Sequence, residues 1–133
     1  MPTSQIIERQ TKYCTSVVSL LQHMGHATNQ ELLVELRSIY PDLSATTVHR
    51  ATQRLASRGK IAIAPNAIDG SIRYDVNLVP HDHFACDKCG QLADADLKDK
   101  IMPIINRSIV GCDISGRLTI TGVCHNCLIK GGI

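Results

Sequence analysis

A chain of 133 residues and 14.5 kDa has room for one medium domain or two small ones. Its 44% hydrophobic and 20% charged residues suit a soluble globular protein, and no apolar run reaches the roughly 18 residues that span a bilayer. The net charge of +2 is too small to imply a partner, but residues 44–60 hold Arg50, Arg54, Arg58 and Lys60 with no acidic residue, whereas residues 77–133 balance six Lys or Arg against six Asp.

Residues 4–24 read as a helix, because Cys14, Val17, Val18, Leu21 and Met24 recur at three- and four-residue steps. Gly25 ends it. Thr28 followed by Glu31 is a capping box that starts a second helix, with Leu32, Leu33, Leu36 and Tyr40 on its apolar side and Pro41 as its stop. Ser44 caps a third helix running to about Arg58, closed by Gly59. Two short strand-like runs then flank the turn dipeptide Asp69-Gly70. Three helices followed by a hairpin is the order of a winged helix-turn-helix.

Residues 77–82 read as a hinge, so the expected division is 1–76, hinge 77–82, and 83–133. The segment HFACDKCGQLADA is strand-rich, a helix weakened by Pro103 is expected from about Asp96 to Ile109, and RLTITGV reads as a final strand.

On the third helix Arg50, Arg54 and Arg58 stand four residues apart and share one stripe, while Val48 and Leu55 fall on another face. Thr46, Thr47, His49 and Gln53 add polar groups. A basic helix face can simply be solvated, but third place in a helical triplet, before a hairpin carrying Arg73, makes this the expected reader of double-stranded DNA.

The opening MPTSQIIERQTKYC carries Glu8 and no long apolar stretch, which reads against a secretion signal and towards the cytoplasm. Six cysteines in a reducing compartment then argue for metal rather than disulfides. Cys86-x-x-Cys89 and Cys124-x-x-Cys127, separated by 34 residues, supply four thiolates for a tetrahedral zinc ion. Four protein ligands leave no open position, so the site is structural. Cys14 and Cys112 read as isolated buried residues, and His125 as exposed.

His81 and His83 fall on one side of an extended segment. With Asp94 after them, and Asp75 and His26 before, they make a His/Asp set suited to iron(II) or manganese(II) rather than to a thiolate-seeking ion.

The motifs HDHFACDKCG at residues 81–90 and GVCHNC at residues 122–127 resemble those of the ferric uptake regulator superfamily, and the likeness covers almost the whole chain. Supporting stretches are His26-Ala27-Thr28, Ser44-Ala45-Thr46-Thr47-Val48 and Arg73-Tyr74-Asp75. The resemblance implies an α+β homodimer: an N-terminal winged helix-turn-helix domain and a small C-terminal α/β dimerisation domain. It implies a regulatory ion on His26, Asp75, His81, His83 and Asp94, which would set the angle between domains and so the spacing of the recognition helices. Aspartate at both 75 and 94 is most similar to the peroxide-sensing branch, in which iron-bound His26 and His81 would gain oxygen and release the repressor from DNA. The alternative is an iron- or manganese-level-sensing uptake regulator without a peroxide response. His49, where the superfamily commonly has a tyrosine, and Thr52, where it has a leucine, depart from the pattern.

Two further classes compete. A metal-dependent hydrolase or deaminase needs an open metal position and a general base, but the only glutamates are Glu8, Glu31 and Glu35, all in the helical half. No enzyme activity is expected. A zinc-ribbon interaction module without sensing would be indifferent to loss of the second metal.

Overall fold

A computed structural model describes residues 4–79, 81–114 and 117–131; for residues 4–11 it describes the backbone alone. The chain divides into two compact units, Met1–Leu78 and Val79–Ile133.

The first unit begins with helix α1 (Ser4–Met24). Gly25, at φ +84°, turns the chain out of that helix into the three-residue strand β1 (His26–Thr28). Thr28 then caps α2 (Asn29–Leu36). Its hydroxyl accepts from the Glu31 amide at 3.2 Å, and its own amide donates to Glu31 Oε1 at 3.1 Å, the reciprocal capping box expected from the sequence. The helix is shorter than expected and ends at Leu36 instead of running to Pro41. Ser38 Oγ donates to the Glu35 carbonyl at 2.7 Å and Arg37 Nε to the Leu43 carbonyl at 3.0 Å, so side chains and turns take over the role of further helical bonds. Tyr40 still faces inward, edge-on to Tyr13 at 5.1 Å between ring centroids.

Helix α3 (Ala45–Ser57) has Ser44 as N-cap and Arg58 as C-cap. Strands β2 (Ala62–Ala64) and β3 (Arg73–Asp75) form the wing, and β1 completes an antiparallel sheet in the order β1-β3-β2. At the wing tip Gly70 adopts φ +87°, and Asp69 Oδ1 accepts from the Ser71 amide at 2.9 Å. Val17 and Leu21 of α1, Leu32, Leu33 and Leu36 of α2, and Val48, Ala51 and Leu55 of α3 meet in one core.

Leu32 is fully buried there, and its truncation leaves a cavity among three helices. Leu32→Ala is expected to lower stability by about 2–5 kcal/mol. Urea titration should show a lower midpoint with an unchanged slope.

The second unit comprises β4 (Asp82–Cys86), β5 (Leu92–Ala95), α4 (Lys98–Ser108), β6 (Thr119–Gly122) and α5 (His125–Lys130). Its sheet runs β5-β4-β6, with β5 antiparallel and β6 parallel to β4. Pro103 is accommodated within α4, which is shorter at both ends than the expected 96–109. Helix α5 was not expected from the sequence.

The segment read as a hinge, 77–82, also differs: Asp82 is the first residue of β4 and is buried. Pro80 lies outside the described residues. Ile104, Ile109, Val110, Ile120, Leu128 and Ile129 of this unit are exposed. Among the described residues, no helix is long and apolar enough to cross a membrane.

Candidate metal centres and nucleic-acid interface

Strands β4 and β6 are parallel neighbours in which Cys86 lies opposite Gly122, so the chain beyond each strand delivers one CxxC pair to the same end of the sheet. After β4 the chain turns through Gly90 at φ +78°, a conformation that favours glycine. After β6 it turns at Cys124 into α5, which carries Cys127. The Sγ atoms of Cys86, Cys89, Cys124 and Cys127 all lie within 4.8 Å of one another.

Two separations test the fit to zinc. Cys86 Sγ is 3.8 Å from Cys127 Sγ, and Cys89 Sγ is 3.7 Å from Cys124 Sγ. A tetrahedron with Zn–S bonds of about 2.3 Å has edges of about 3.8 Å, whereas a disulfide would need about 2.05 Å. The four sulfurs therefore fit a tetrahedral thiolate site.

Two of the four thiols are shifted in opposite directions in this arrangement. The amides of Cys89, Cys124 and Lys88 donate to Cys86 Sγ at 3.3–3.4 Å. These bonds, Cys89 foremost, hold the Cys86 pKa down to about 6 against the opposing effect of burial. Cys127 is pushed up to about 12, first by its contact with Cys124 and then by burial and the other two thiols. Crowding four anionic sulfurs is unfavourable without a divalent cation to neutralise them.

The His/Asp residues fall into two sets, one in each unit. In the first unit the sheet register sets His26 opposite Asp75, and His26 Nε2 stands 3.2 Å from Asp75 Oδ2. The other oxygen, Oδ1, accepts from the Asn77 amide at 2.8 Å, which fixes the carboxylate. In the second unit the β4–β5 register sets His83 opposite Asp94. Asp94 Oδ1 is 3.2 Å from His81 Nε2 and 3.5 Å from His83 Nε2, and the two imidazole centroids are 4.3 Å apart.

His81 Nδ1 lies 2.7 Å from the Val79 carbonyl. A carbonyl can only accept, so the ring proton sits on Nδ1 and Nε2 presents its lone pair. Metal-binding histidines are commonly oriented in this way. Nitrogen and carboxylate donors together suit a harder divalent ion than four thiolates do.

Sequence reasoning missed Asp82 as a contributor to this architecture. It lies between His81 and His83, but its carboxylate serves the backbone: Oδ2 accepts from the Leu97 amide at 3.1 Å and Oδ1 from the Leu118 amide at 3.0 Å. Period two in β4 is the available signal, because it directs residue 82 to the opposite face from residues 81 and 83.

On α3, Thr46, His49, Arg50 and Gln53 are exposed, as is the C-cap Arg58; Thr47 and Arg54 are half-buried. Thr47 is partly engaged by the cap, its amide donating to Ser44 Oγ at 3.2 Å. Arg50, Gln53 and Arg54 line an open groove of about 1050 Å³ with Ile63 and Ile72 of the wing.

Cys14 is half-buried. Its thiol is pushed up by burial, against the pull of Arg54 and Arg58. Cys112, expected to be buried, is exposed, because the turn after α4 packs it against no core. His125 is exposed at the start of α5. Glu31, a candidate general base only by residue type, is committed to the capping box.

The sequence pattern of the ferric uptake regulator family matches residues 8–111. The chain is 26% identical over 115 residues to the peroxide-responsive repressor PerR of Staphylococcus epidermidis, spanning 84% of this chain and 75% of that protein. It is 27% identical over 114 residues to the peroxide operon regulator of Bacillus subtilis, spanning 84% and 77%. The fold is similar to that of the Helicobacter pylori ferric uptake regulator, with a TM-score of 0.71 at 24% identity over 87% of this chain and 79% of the other. This chain accordingly belongs to the ferric uptake regulator family and is one of its metal-responsive regulators, a family of transcriptional regulators and not of enzymes.

Proposed function

We propose that this protein is a homodimeric repressor that acts in the cytoplasm, binds operator DNA when loaded with iron(II) or manganese(II), and senses hydrogen peroxide. The observation that carries this reading is the presence of two chemically distinct donor sets. Four sulfurs at tetrahedral separations suit a structural zinc ion on Cys86, Cys89, Cys124 and Cys127. The His/Asp donors suit a regulatory ion. His26 with Asp75 offers two donors and His81, His83 and Asp94 offer three, so neither set alone completes the shell of a five- or six-coordinate ion. In this reading one ion draws on both.

The DNA contacts in this reading come from Thr46, Thr47, His49, Arg50, Gln53, Arg54 and Arg58. The arginines meet phosphates or guanine edges, and the smaller polar groups set register. Exposed apolar residues of the second unit, Ile104, Ile120 and Ile129 among them, support dimerisation through that unit. Donors drawn from both units would favour one disposition of the DNA-reading helices, and the ion would shift the population by its differential affinity for it.

Peroxide as the signal is supported by the names of the two curated relatives and by aspartate at both carboxylate positions, 75 and 94. Bound iron(II) would initiate cleavage of hydrogen peroxide, which is the net two-electron oxidant: one oxygen would be added to a neighbouring imidazole and the other would leave as water. The Val79 carbonyl holds the His81 ring with Nε2 turned to Asp94 Oδ1, which makes His81 a fixed target, and His26 is the second. An oxidised imidazole is a poorer donor, so the clasp loosens and DNA is released.

Zinc-replete protein loaded with iron(II) without air and given about one equivalent of hydrogen peroxide is expected to gain one oxygen on His26 or His81. Peptide mass spectrometry should find no such gain with manganese(II). Unmodified histidines with metal-dependent DNA binding intact would mean an iron- or manganese-level-sensing uptake regulator instead.

A further inference from the structure

The exposed face of α3 carries one side chain that is oriented by a polar relay rather than left to solvent. His49 Nδ1 lies 3.3 Å from Asn29 Nδ2, at the start of α2. The oxygen of the same amide, Asn29 Oδ1, accepts from Thr52 Oγ1 at 2.8 Å. Thr52 is fully buried and sits three residues, just under one turn, beyond His49 on α3. Its hydroxyl is also 3.2 Å from the Val48 carbonyl and 3.1 Å from the His49 carbonyl, but the contact with Asn29 is the shortest of the three. The relay runs from the core, through α2, to the outer face of α3.

The chemistry of these groups assigns the imidazole tautomer. An amide nitrogen has protons to give and no lone pair to offer, so Nδ1 of His49 must accept. The ring proton of the neutral imidazole then resides on Nε2, the nitrogen directed away from Asn29. We propose that Thr52 and Asn29 are positioning residues that fix His49 as an outward hydrogen-bond donor, and that this donor selects a guanine in the operator. The proposal rests on the DNA-binding reading above.

Guanine follows from the groove. In the major groove guanine presents two neighbouring acceptors, N7 and O6, whereas thymine presents a single acceptor, O4, beside its methyl group, adenine sets an amino donor beside its N7, and cytosine presents an amino donor. A fixed N–H donor meets an acceptor on guanine at either approach and meets repulsion from the amino groups. Without the relay the ring would be free to rotate and to exchange tautomers, and would accept from adenine or cytosine as readily as it donates to guanine. Thr52 acts at a distance: its hydroxyl turns the amide so that Nδ2, and not Oδ1, faces the ring.

The test uses the zinc-replete, manganese(II)-loaded full chain and a pool of duplexes with randomised positions, sequenced after selection. One guanine-enriched position is expected to lose its preference in His49→Ala. The same position should flatten in Asn29→Ala and in Thr52→Val, with discrimination falling roughly 3–10-fold, the scale of one lost hydrogen bond. Substituting 7-deazaguanine there, which lacks N7, or 6-thioguanine, which weakens the acceptor at position 6, should weaken wild-type binding in at least one case and leave His49→Ala unaffected. Circular dichroism melts of the variants, with Thr52→Val preserving side-chain size, separate a specificity effect from unfolding. Preference unchanged in folded Asn29→Ala and Thr52→Val, or enrichment of adenine, cytosine or thymine at the position His49 reads, overturns the proposal alone. No enrichment of any sequence by the wild type overturns the DNA-binding reading and this inference with it.

Discussion

Cys86→Ser is expected to abolish stoichiometric zinc binding and, with it, the fold of the second unit. Cys86 is the most buried of the four cysteines and the hub of the site, with three amides directed at its sulfur and Cys127 3.8 Å away. Serine is shorter, and its hydroxyl is a poor ligand for zinc beside three thiolates. Structural zinc sites are worth about 10–16 kcal/mol of binding free energy. A domain is typically stable by only about 5–15 kcal/mol, so loss of the ion is decisive for a unit whose two helices contribute no buried residue. The first unit has its own core, from Val17 to Tyr74, and should keep its helical signal. Zinc analysis should fall from about one ion per chain to near none, and the melt should retain only the transition of the first unit. Cys112→Ser, at an exposed cysteine outside the cluster, is the matched control and should change neither. Full zinc content and an unaltered melt in Cys86→Ser would refute the assignment of this cysteine.

The elements legible in the sequence were those whose signals are local. The Thr28–Glu31 box and the Ser44 cap are decided within four residues, and both helices start where those signals place them. The four cysteines were legible because spacing and residue type alone narrow what they can do. Strand β1 was not legible: His26-Ala27-Thr28 has no strand character of its own and is a strand only because β3 offers it an edge. That pairing sets His26 opposite Asp75, so the residue types of the donor set were readable while the register that pairs them was not. Helix α5 was hidden for a related reason, since six residues after a metal ligand carry too little periodicity to stand out. The relay of Asn29, His49 and Thr52 joins positions 20 and more residues apart, and no local pattern announces it.

Asp82 shows most clearly what non-local bonds withhold from sequence reading, and its removal should be correspondingly costly. Among Leu, Val, Pro and His residues it reads as part of a hinge, yet it is 2% exposed. Its partners, the amides of Leu97 and Leu118, lie 15 and 36 residues away. Leu97 is the N-cap residue of α4, without a side-chain cap of its own, and Leu118 leads into β6, where its carbonyl also accepts from the His83 amide at 3.0 Å. One carboxylate therefore ties together the start of β4, the entry to α4 and the entry to β6. Asp82→Ala leaves two amides without their acceptor. Each such loss costs about 1–3 kcal/mol, so a destabilisation of roughly 2–6 kcal/mol is expected. Asp82→Asn should fall between, because an amide keeps one acceptor oxygen but turns an NH₂ group towards the second N–H donor. Because His81 and His83 flank this anchor, manganese(II) affinity measured by electron paramagnetic resonance should decline in the same order, wild type, Asn, Ala. Zinc content should be kept in the Asn variant, since its sulfur ligands are untouched. Wild-type stability in Asp82→Ala would show that water replaces the carboxylate at no cost, and would remove this residue from the set that holds the two histidines in place.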